Sequence, residues 1–190
     1  MILRAGLIAS LMLTLAAPAM AECARPEELA MVRGEHAFTQ TRTLKGVARP
    51  LVSSGTLEAQ ADGVVWKVTK PIEIVTRIGP KGVTQSIDGG PEEAVGAAGA
   101  NNPFFSETGL LDLLRGDLSK LDTRYQVARG TRAKPEGWKL ALTPKSASVT
   151  PYITSIAIEG CMRVESVAVA QANGDMMRID LKPGQTRAAQ

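Results

Sequence analysis

The stretch that decides the fold runs from Phe38 to Pro71. It reads Phe38-Thr39-Gln40-Thr41-Arg42, then Ser53-Ser54-Gly55-Thr56-Leu57, and then Gly63-Val64-Val65-Trp66-Lys67-Val68-Thr69-Lys70-Pro71. Apolar side chains stand mostly at alternate positions, and turn-forming residues separate the three segments. Because successive side chains of a strand point to opposite faces, the stretch predicts part of an antiparallel sheet with one apolar face.

Similar segments continue along most of the chain. They predict strands at about 36–44, 53–60, 63–69, 72–78, 83–88, 124–129, 137–143, 152–159, 162–171 and 175–182. Asp62-Gly63, Gly79-Pro80-Lys81-Gly82 and Asn173-Gly174-Asp175 are typical of the turns between them. Since few helical segments intervene, the sequence favours one large antiparallel sheet, closed or nearly closed, with helices packed on one side.

Two helices are predicted beside this sheet. Pro26 to Gly34 has proline at its start and acids in its first turn. Asn102-Pro103 begins a longer helix with a leucine-rich apolar stripe, for which packing against the sheet is the default interpretation. The glycine- and alanine-rich segment 89–102 is either a mobile flap or an ordinary surface loop with a single helical turn.

The first 21 residues have the pattern of a secretory signal peptide. Arg4 is followed by an apolar run from Ala5 to Ala17, and Ala19-Met20-Ala21 supplies the small residues of a cleavage site after Ala21. A retained membrane helix is the alternative, but the run is shorter than the ~20 residues that a span needs. We therefore expect residues 22–190 to form one exported domain in the periplasm.

Two cysteines, Cys23 and Cys161, would remain in the mature chain. Glu22 precedes Cys23 where lipoprotein processing needs a small residue, so we expect no lipid anchor there. In an oxidising compartment a disulfide between them would close a long loop and contribute ~3–5 kcal/mol in the chain-entropy treatment. Two free thiols are the alternative, because sequence cannot show proximity.

Charge and polar motifs exclude several classes of function. The formal net charge is only +3, with neither a basic block nor basic–aromatic interleaving, so no nucleic-acid partner is expected. The single histidine, His36, has no serine in a nucleophile-elbow context nearby and is interpreted as a solvated or hydrogen-bonded surface residue. Neither cysteine has metal-ligand spacing, and Asn173-Gly174-Asp175 offers too few oxygen ligands for a cation. We predict no enzyme activity, no metal site and no cofactor.

The apolar stripes of the strands leave two interpretations open. Val64, Trp66 and Val68 share one side of a strand, and the stripes elsewhere are Trp138, Leu140 and Leu142, and Ile156 and Ile158. Such stripes commonly fill a core. They can also line a cavity, because curved sheets that hold a cavity are common in exported ligand carriers.

Several motifs, in order, carry a resemblance to a known family. They are Phe38-Thr39-Gln40, Gly55-Thr56-Leu57, Trp66 with Pro71 after it, the helix at Leu111–Leu114, Trp138-Lys139-Leu140-Ala141-Leu142-Thr143-Pro144 and the Asn173-Gly174-Asp175 hairpin. Over nearly the whole mature chain they resemble the periplasmic outer-membrane lipoprotein carrier protein LolA and its relatives.

The resemblance implies both a fold and a function. The fold would be mainly β, an unclosed antiparallel half-barrel of about ten to eleven strands with short helices covering its concave face. Members of the family bind acyl chains of lipoproteins released by an inner-membrane transporter and hand them to an outer-membrane acceptor. We therefore expect a monomer whose apolar cleft takes these chains or another lipid cargo. The candidate cleft residues are Leu57, Val64, Trp66, Val68, Phe104, Leu110, Leu114, Trp138, Leu140, Leu142, Ile156 and Ile158.

One departure from the family pattern bears on mechanism. The family commonly carries an Arg-Pro pair shortly before the tryptophan, and its Arg helps to latch the lid in the cargo-free state. Here the corresponding residues are Gln60-Ala61-Asp62-Gly63, which favours a specialised member that carries another lipid or serves another pathway. A rival hypothesis is an exported structural or interaction module with a filled core, which contacts a partner through an edge strand or segment 89–102.

Overall fold

Eleven strands form a single antiparallel sheet. The computed structural model describes residues 23–29, 34–80, 82–95, 112–113, 117–133 and 136–182. The strands are β1 Gly34–Thr43, β2 Leu51–Ala59, β3 Val64–Lys70, β4 Ile74–Gly79, β5 Gly82–Ile87, β6 Glu93–Ala94, β7 Tyr125–Ala133, β8 Glu136–Pro144, β9 Ile153–Gly160, β10 Val164–Gln171 and β11 Met176–Leu181.

The sheet is open at both ends. Its order is β6-β5-β4-β3-β2-β1-β11-β10-β9-β8-β7, and each neighbouring pair is antiparallel. Two sets of sequential hairpins, β1–β6 and β7–β11, therefore meet where β1 pairs with β11, with Phe38 opposite Leu181. Because β6 and β7 do not pair with each other, the sheet is an unclosed half-barrel, and the predicted fold class is confirmed.

Ten strands were predicted within a few residues of their observed positions. The eleventh, β6, lies inside segment 89–102 and pairs with β5 through Thr84 opposite Ala94. Two exposed residues carry no alternation, so no sequence pattern indicates this strand. The rest of that segment, from residue 96, lies outside the described residues.

The described helices are short. A 3₁₀ helix spans Pro26–Glu28, and α1 spans Leu121–Arg124. The first helix was predicted to continue to Gly34, but that residue already begins β1. Most of the helix predicted after Asn102-Pro103 lies outside the described residues, as do residues 1–21. No helix in the described part of the chain is long and apolar enough to cross a membrane.

One disulfide and one ion pair hold the N-terminal segment to the sheet. Cys23 and Cys161 form a disulfide with a Cα–Cα distance of 4.5 Å across a sequence separation of 138 residues. Arg129 on β7 pairs with Glu27 at 2.8 Å and with Asp122 at 2.6 Å. These pairs lower the pKa of both carboxyl groups, chiefly through the hydrogen bonds that Arg129 donates.

Candidate functional site

Strand register places the apolar stripes of the whole sheet on one face. Residues directly opposite each other in antiparallel strands project to the same side. One row across the sheet contains Leu181, Phe38, Gly55, Val68, Ile74 and Ile87. The next row contains His36, Leu57, Trp66, Thr76 and Gln85.

The C-terminal strands continue the same surface. Ile179 lies opposite Val167, which lies opposite Ile158, which in turn lies opposite Leu140. All nine candidate residues on strands therefore share one side of the sheet, which we call the apolar face. The other three candidates, Phe104, Leu110 and Leu114, lie outside the described residues and stay predictions.

Half of the apolar face is a packed core. On β7–β10, which we call the packed half, Leu142 is 0% exposed, Ile158 1% and Trp138 7%. Their cluster also holds Leu140, Ile156, Leu113, Leu118, Leu121, Tyr125 and Val149. The indole N–H of Trp138 donates a hydrogen bond of 2.8 Å to the backbone oxygen of Cys161. The side chains of the packed half thus bury one another.

The other half of the apolar face is less covered. On β2–β5, which we call the open half, Leu57 and Val64 are buried, but Trp66, Val68 and Ile74 are only partly buried and Ile87 is 56% exposed. This half combines a formed apolar floor with apolar surface that remains accessible.

Trp66 is the largest apolar side chain of the open half. Its ring lies 4.6 Å from that of Phe38, centroid to centroid, at an interplanar angle of 49°. Such a tilted aromatic pair contributes ~0.5–1.5 kcal/mol beyond its burial. Among the described residues the indole N–H of Trp66 finds no hydrogen-bond partner. Phe38 therefore packs against one side of the Trp66 ring, and part of the Trp66 side chain remains exposed.

Gly55 lets β2 and β3 approach each other closely beside these two rings. It lies between Phe38 and Val68 in the row, at the point where the β2–β3 register shifts. A Cβ atom added here would lie 1.8 Å from the backbone oxygen of Lys67. The position therefore accepts only glycine, because any side chain would collide with the backbone of β3.

Few polar groups lie on the apolar face. Gln85 donates a hydrogen bond of 3.0 Å from its amide nitrogen to the Thr76 hydroxyl, so these two polar side chains satisfy each other. The ion pairs of Arg132 with Glu165 and Glu159 lie on the opposite face of the sheet, where Lys139 also pairs with Glu159. Among the described residues no group of His, Cys, Asp and Glu side chains could hold a metal ion.

His36 departs from its predicted surface role. It lies in the row of Leu57 and Trp66 and is partly buried, and its Nε2 atom has no hydrogen-bond partner among the described residues. Burial lowers the pKa of His36 and the charge of Arg163 lowers it further. The interpretation as a solvated or hydrogen-bonded surface residue is wrong. The sequence did contain a signal for this position: His36 precedes Phe38 by two residues, and residues two apart in a strand lie on the same face.

Comparisons with known proteins give likenesses of structure and none of sequence. No family model and no curated protein matches the sequence. A LolA superfamily protein from Nitrosomonas europaea aligns with a TM-score of 0.45 at 10% identity, over 87% of this chain and 90% of that one. A DUF1329 family protein from Desulfovibrio piger aligns with a TM-score of 0.39 at 10% identity, over 82% of this chain and 86% of that one.

A third solved structure, from Vibrio parahaemolyticus, is described as an outer membrane lipoprotein-sorting protein domain. It aligns with a TM-score of 0.38 at 12% identity, over 83% of this chain and 87% of that one.

Proposed function

We propose that the protein is a periplasmic carrier that binds the acyl chains of lipoproteins, or of another lipidated or lipid cargo. One observation carries the proposal: a single apolar face crosses the sheet, and its open half keeps Trp66, Val68, Ile74 and Ile87 partly accessible. Apolar surface that is shaped by a sheet and only partly covered is typical of a binding site.

The energetics of this surface suit an acyl chain. Burying a methylene group contributes about 0.8 kcal/mol, so about ten of them contribute about 8 kcal/mol before the costs of ordering. A free energy of this size corresponds to a dissociation constant of about 1 μM as an upper limit on affinity, and the costs of ordering weaken binding from that limit. Such binding is indifferent to the sequence of the attached protein, as a general carrier requires.

Two features of the chain support the periplasm as its location. Residues 1–21 have the pattern of a signal peptide, and we propose cleavage after Ala21 to leave residues 22–190 as one soluble domain. The Cys23–Cys161 disulfide suits an oxidising compartment such as the periplasm. Cargo would pass from an inner-membrane donor to an outer-membrane acceptor, with the carrier acting as a monomer and performing no catalysis.

The test is a charge placed on the open half. Trp66→Glu puts a carboxylate among acyl methylenes, where its desolvation is costly, so we expect binding of a fluorescent fatty acid to fall at least tenfold. Thr69→Glu is the matched control, because Thr69 is an exposed residue of the same strand on the opposite face. Both variants should keep the far-UV circular dichroism of the parent. Equal binding by Trp66→Glu and the parent would contradict the proposal.

The packed half favours a second candidate. There the candidate residues Trp138, Leu140 and Leu142 are buried by the protein's own side chains, as expected of a structural or interaction module with a filled core. Native mass spectrometry of protein purified from the periplasm separates the two functions. A carrier should arrive with lipid adducts, whereas a module with a filled core should show the bare polypeptide mass.

A further inference from the structure

Two cationic or protonatable side chains lie near each other at one end of the apolar face. His36 stands at the beginning of β1, and Leu57 and then Trp66 follow it along the row. Arg163 lies in the turn before β10, and its charge is near enough to His36 to lower the pKa of the imidazole. Phe38 lies opposite Leu181 and Ser166 lies opposite Asp180, so the beginnings of β1 and β10 flank the same end of β11 and both residues belong to that end of the sheet.

Both side chains carry a buried nitrogen without a partner. Neither Nε2 of His36 nor Nε of Arg163 makes a hydrogen bond within the described part of the chain. Nearly all buried polar groups in folded proteins are paired, and an unpaired one is costly. Two such atoms at one end of an apolar surface indicate a place that a ligand's polar group would complete.

The charges around this end favour an anion. Glu35 and Glu58, which flank His36 in β1 and Leu57 in β2, are opposite each other on the other face of the sheet. Glu165, close to Arg163 in sequence, is already paired with Arg132 at 2.6 Å. Arg163 makes no ion pair with any described residue, so its charge is available to a ligand.

We propose that His36 and Arg163 form a subsite for the anionic headgroup of the cargo, a carboxylate or a phosphate. The headgroup accepts hydrogen bonds from the Arg163 guanidinium and the His36 imidazole, while the tail lies over Leu57, Trp66 and Val68. This inference rests on the proposed carrier function and sharpens it, because the preferred cargo becomes an amphiphile with a negatively charged head.

The experiment compares three probes that share one fluorescent acyl tail. One ends in a carboxylate, one in the methyl ester of that carboxylate and one in a phosphate monoester. Hydrogen bonds to charged groups are stronger than those between neutral groups, so the parent should bind the two anions roughly ten- to a hundredfold more tightly than the ester. The tighter of the two anions identifies the headgroup chemistry.

Substitutions at His36 and Arg163 test which of the two residues gives the preference for anions over the ester. Arg163→Gln should reduce anion affinity about tenfold or more and leave the affinity for the ester unchanged, which also shows that the apolar face is intact. Arg49→Gln is the matched control, because it removes the same charge from an exposed loop. It should change neither the affinity for the anions nor the affinity for the ester. His36→Leu should lower the anion preference by a smaller factor, while His36→Gln, which keeps a donor, should retain most of it.

Failure of the subsite and failure of the carrier function look different. If the parent binds acid, phosphate and ester equally and Arg163→Gln changes nothing, the subsite is wrong and the carrier function stands. If Arg163→Gln weakens ester and anions alike, its effect is on the fold, and the subsite is again overturned. If no probe binds to the parent, both proposals fail.

Discussion

The two tryptophans of this chain sit on the same face of the same sheet, yet their surroundings differ. Trp138, in the packed half, is 7% exposed and donates its indole N–H to Cys161. Trp66, in the open half, leans on Phe38 and is only partly buried. One is anchored by both its rings and its polar atom, and the other by its rings alone. A fully packed residue and a partly exposed one can therefore arise from the same strand pattern.

The difference comes from what lies over each half. Leu118, Leu121 and Tyr125 pack against β8 and β9 and complete a cluster of thirteen buried residues. The other cluster of buried residues has four members in the described part of the chain and extends from the open half onto β1 and β11: Phe38, Leu57, Val64 and Ile179. Trp66 and Val68 are only partly buried beside it. A residue of the packed half thus contributes to stability, while one at this partly buried margin is available, under the proposed function, to contact a ligand.

The largest expected effect separates the two tryptophans directly. Trp138→Ala should lower the free energy of unfolding by about 3–5 kcal/mol, because it leaves a cavity in a closed cluster. Trp66→Ala should cost only about 1–2 kcal/mol, since it loses one aromatic contact and partial burial, but it should weaken fatty-acid binding. Urea denaturation followed by circular dichroism measures the first quantity, and fluorescent titration the second. Equal losses of stability would abolish the distinction between the halves.

An effect of similar size on stability comes from the disulfide. Replacing both Cys23 and Cys161 by serine should reduce the free energy of unfolding by about 3–5 kcal/mol, because the unfolded chain regains the freedom of a long loop. The bridge holds the N-terminal segment near the packed half, so affinity for a fluorescent fatty acid in the open half should stay within twofold of the parent. A large loss of affinity in the folded variant would show that the halves are coupled.

The smallest effect comes from an exposed ion-pair cluster. Arg129→Gln should lower the urea midpoint slightly at pH 7, since surface pairs contribute little. Arg129 lowers the pKa of Glu27 and Asp122, so their contribution is present above the ordinary carboxyl pKa values and is lost as the pH falls through the lowered ones. The difference between variant and parent should therefore disappear at acid pH. A difference that persists when both carboxyls are protonated would point to lost packing instead.

The strands were predictable because their signals are local. Alternation in Val64, Trp66 and Val68 and the turn at Asp62-Gly63 act within a few residues of each other, and the observed β3 follows them. The two-residue β6 has no such signal, since it forms only because β5 offers an unpaired edge. The resemblance to a known family supplied the open half-barrel, which strand positions alone left undecided between open and closed.

The candidate site was only partly predictable. Alternation gives each strand its own apolar stripe, and the strand register of the structure is what places Trp66 and Leu142 on one face. Which of them is covered depends on distant residues such as Leu118 and Tyr125, and no local pattern specifies where those residues fold. His36 was misjudged for a similar reason. Its polarity suggested solvent, whereas its position in the strand placed it beside Leu57.

The pairing of β1 with β11 has a consequence for how the chain reaches this structure. All the other strand pairings join strands that are consecutive in the sequence. Each set of hairpins therefore has mostly short-range contacts. The seam between Phe38 and Leu181 joins opposite ends of the chain, and such high contact order slows folding. As the chain emerges from synthesis, β1 cannot complete its pairing until the last strand is available. The two sets of hairpins become one continuous surface only when that seam closes.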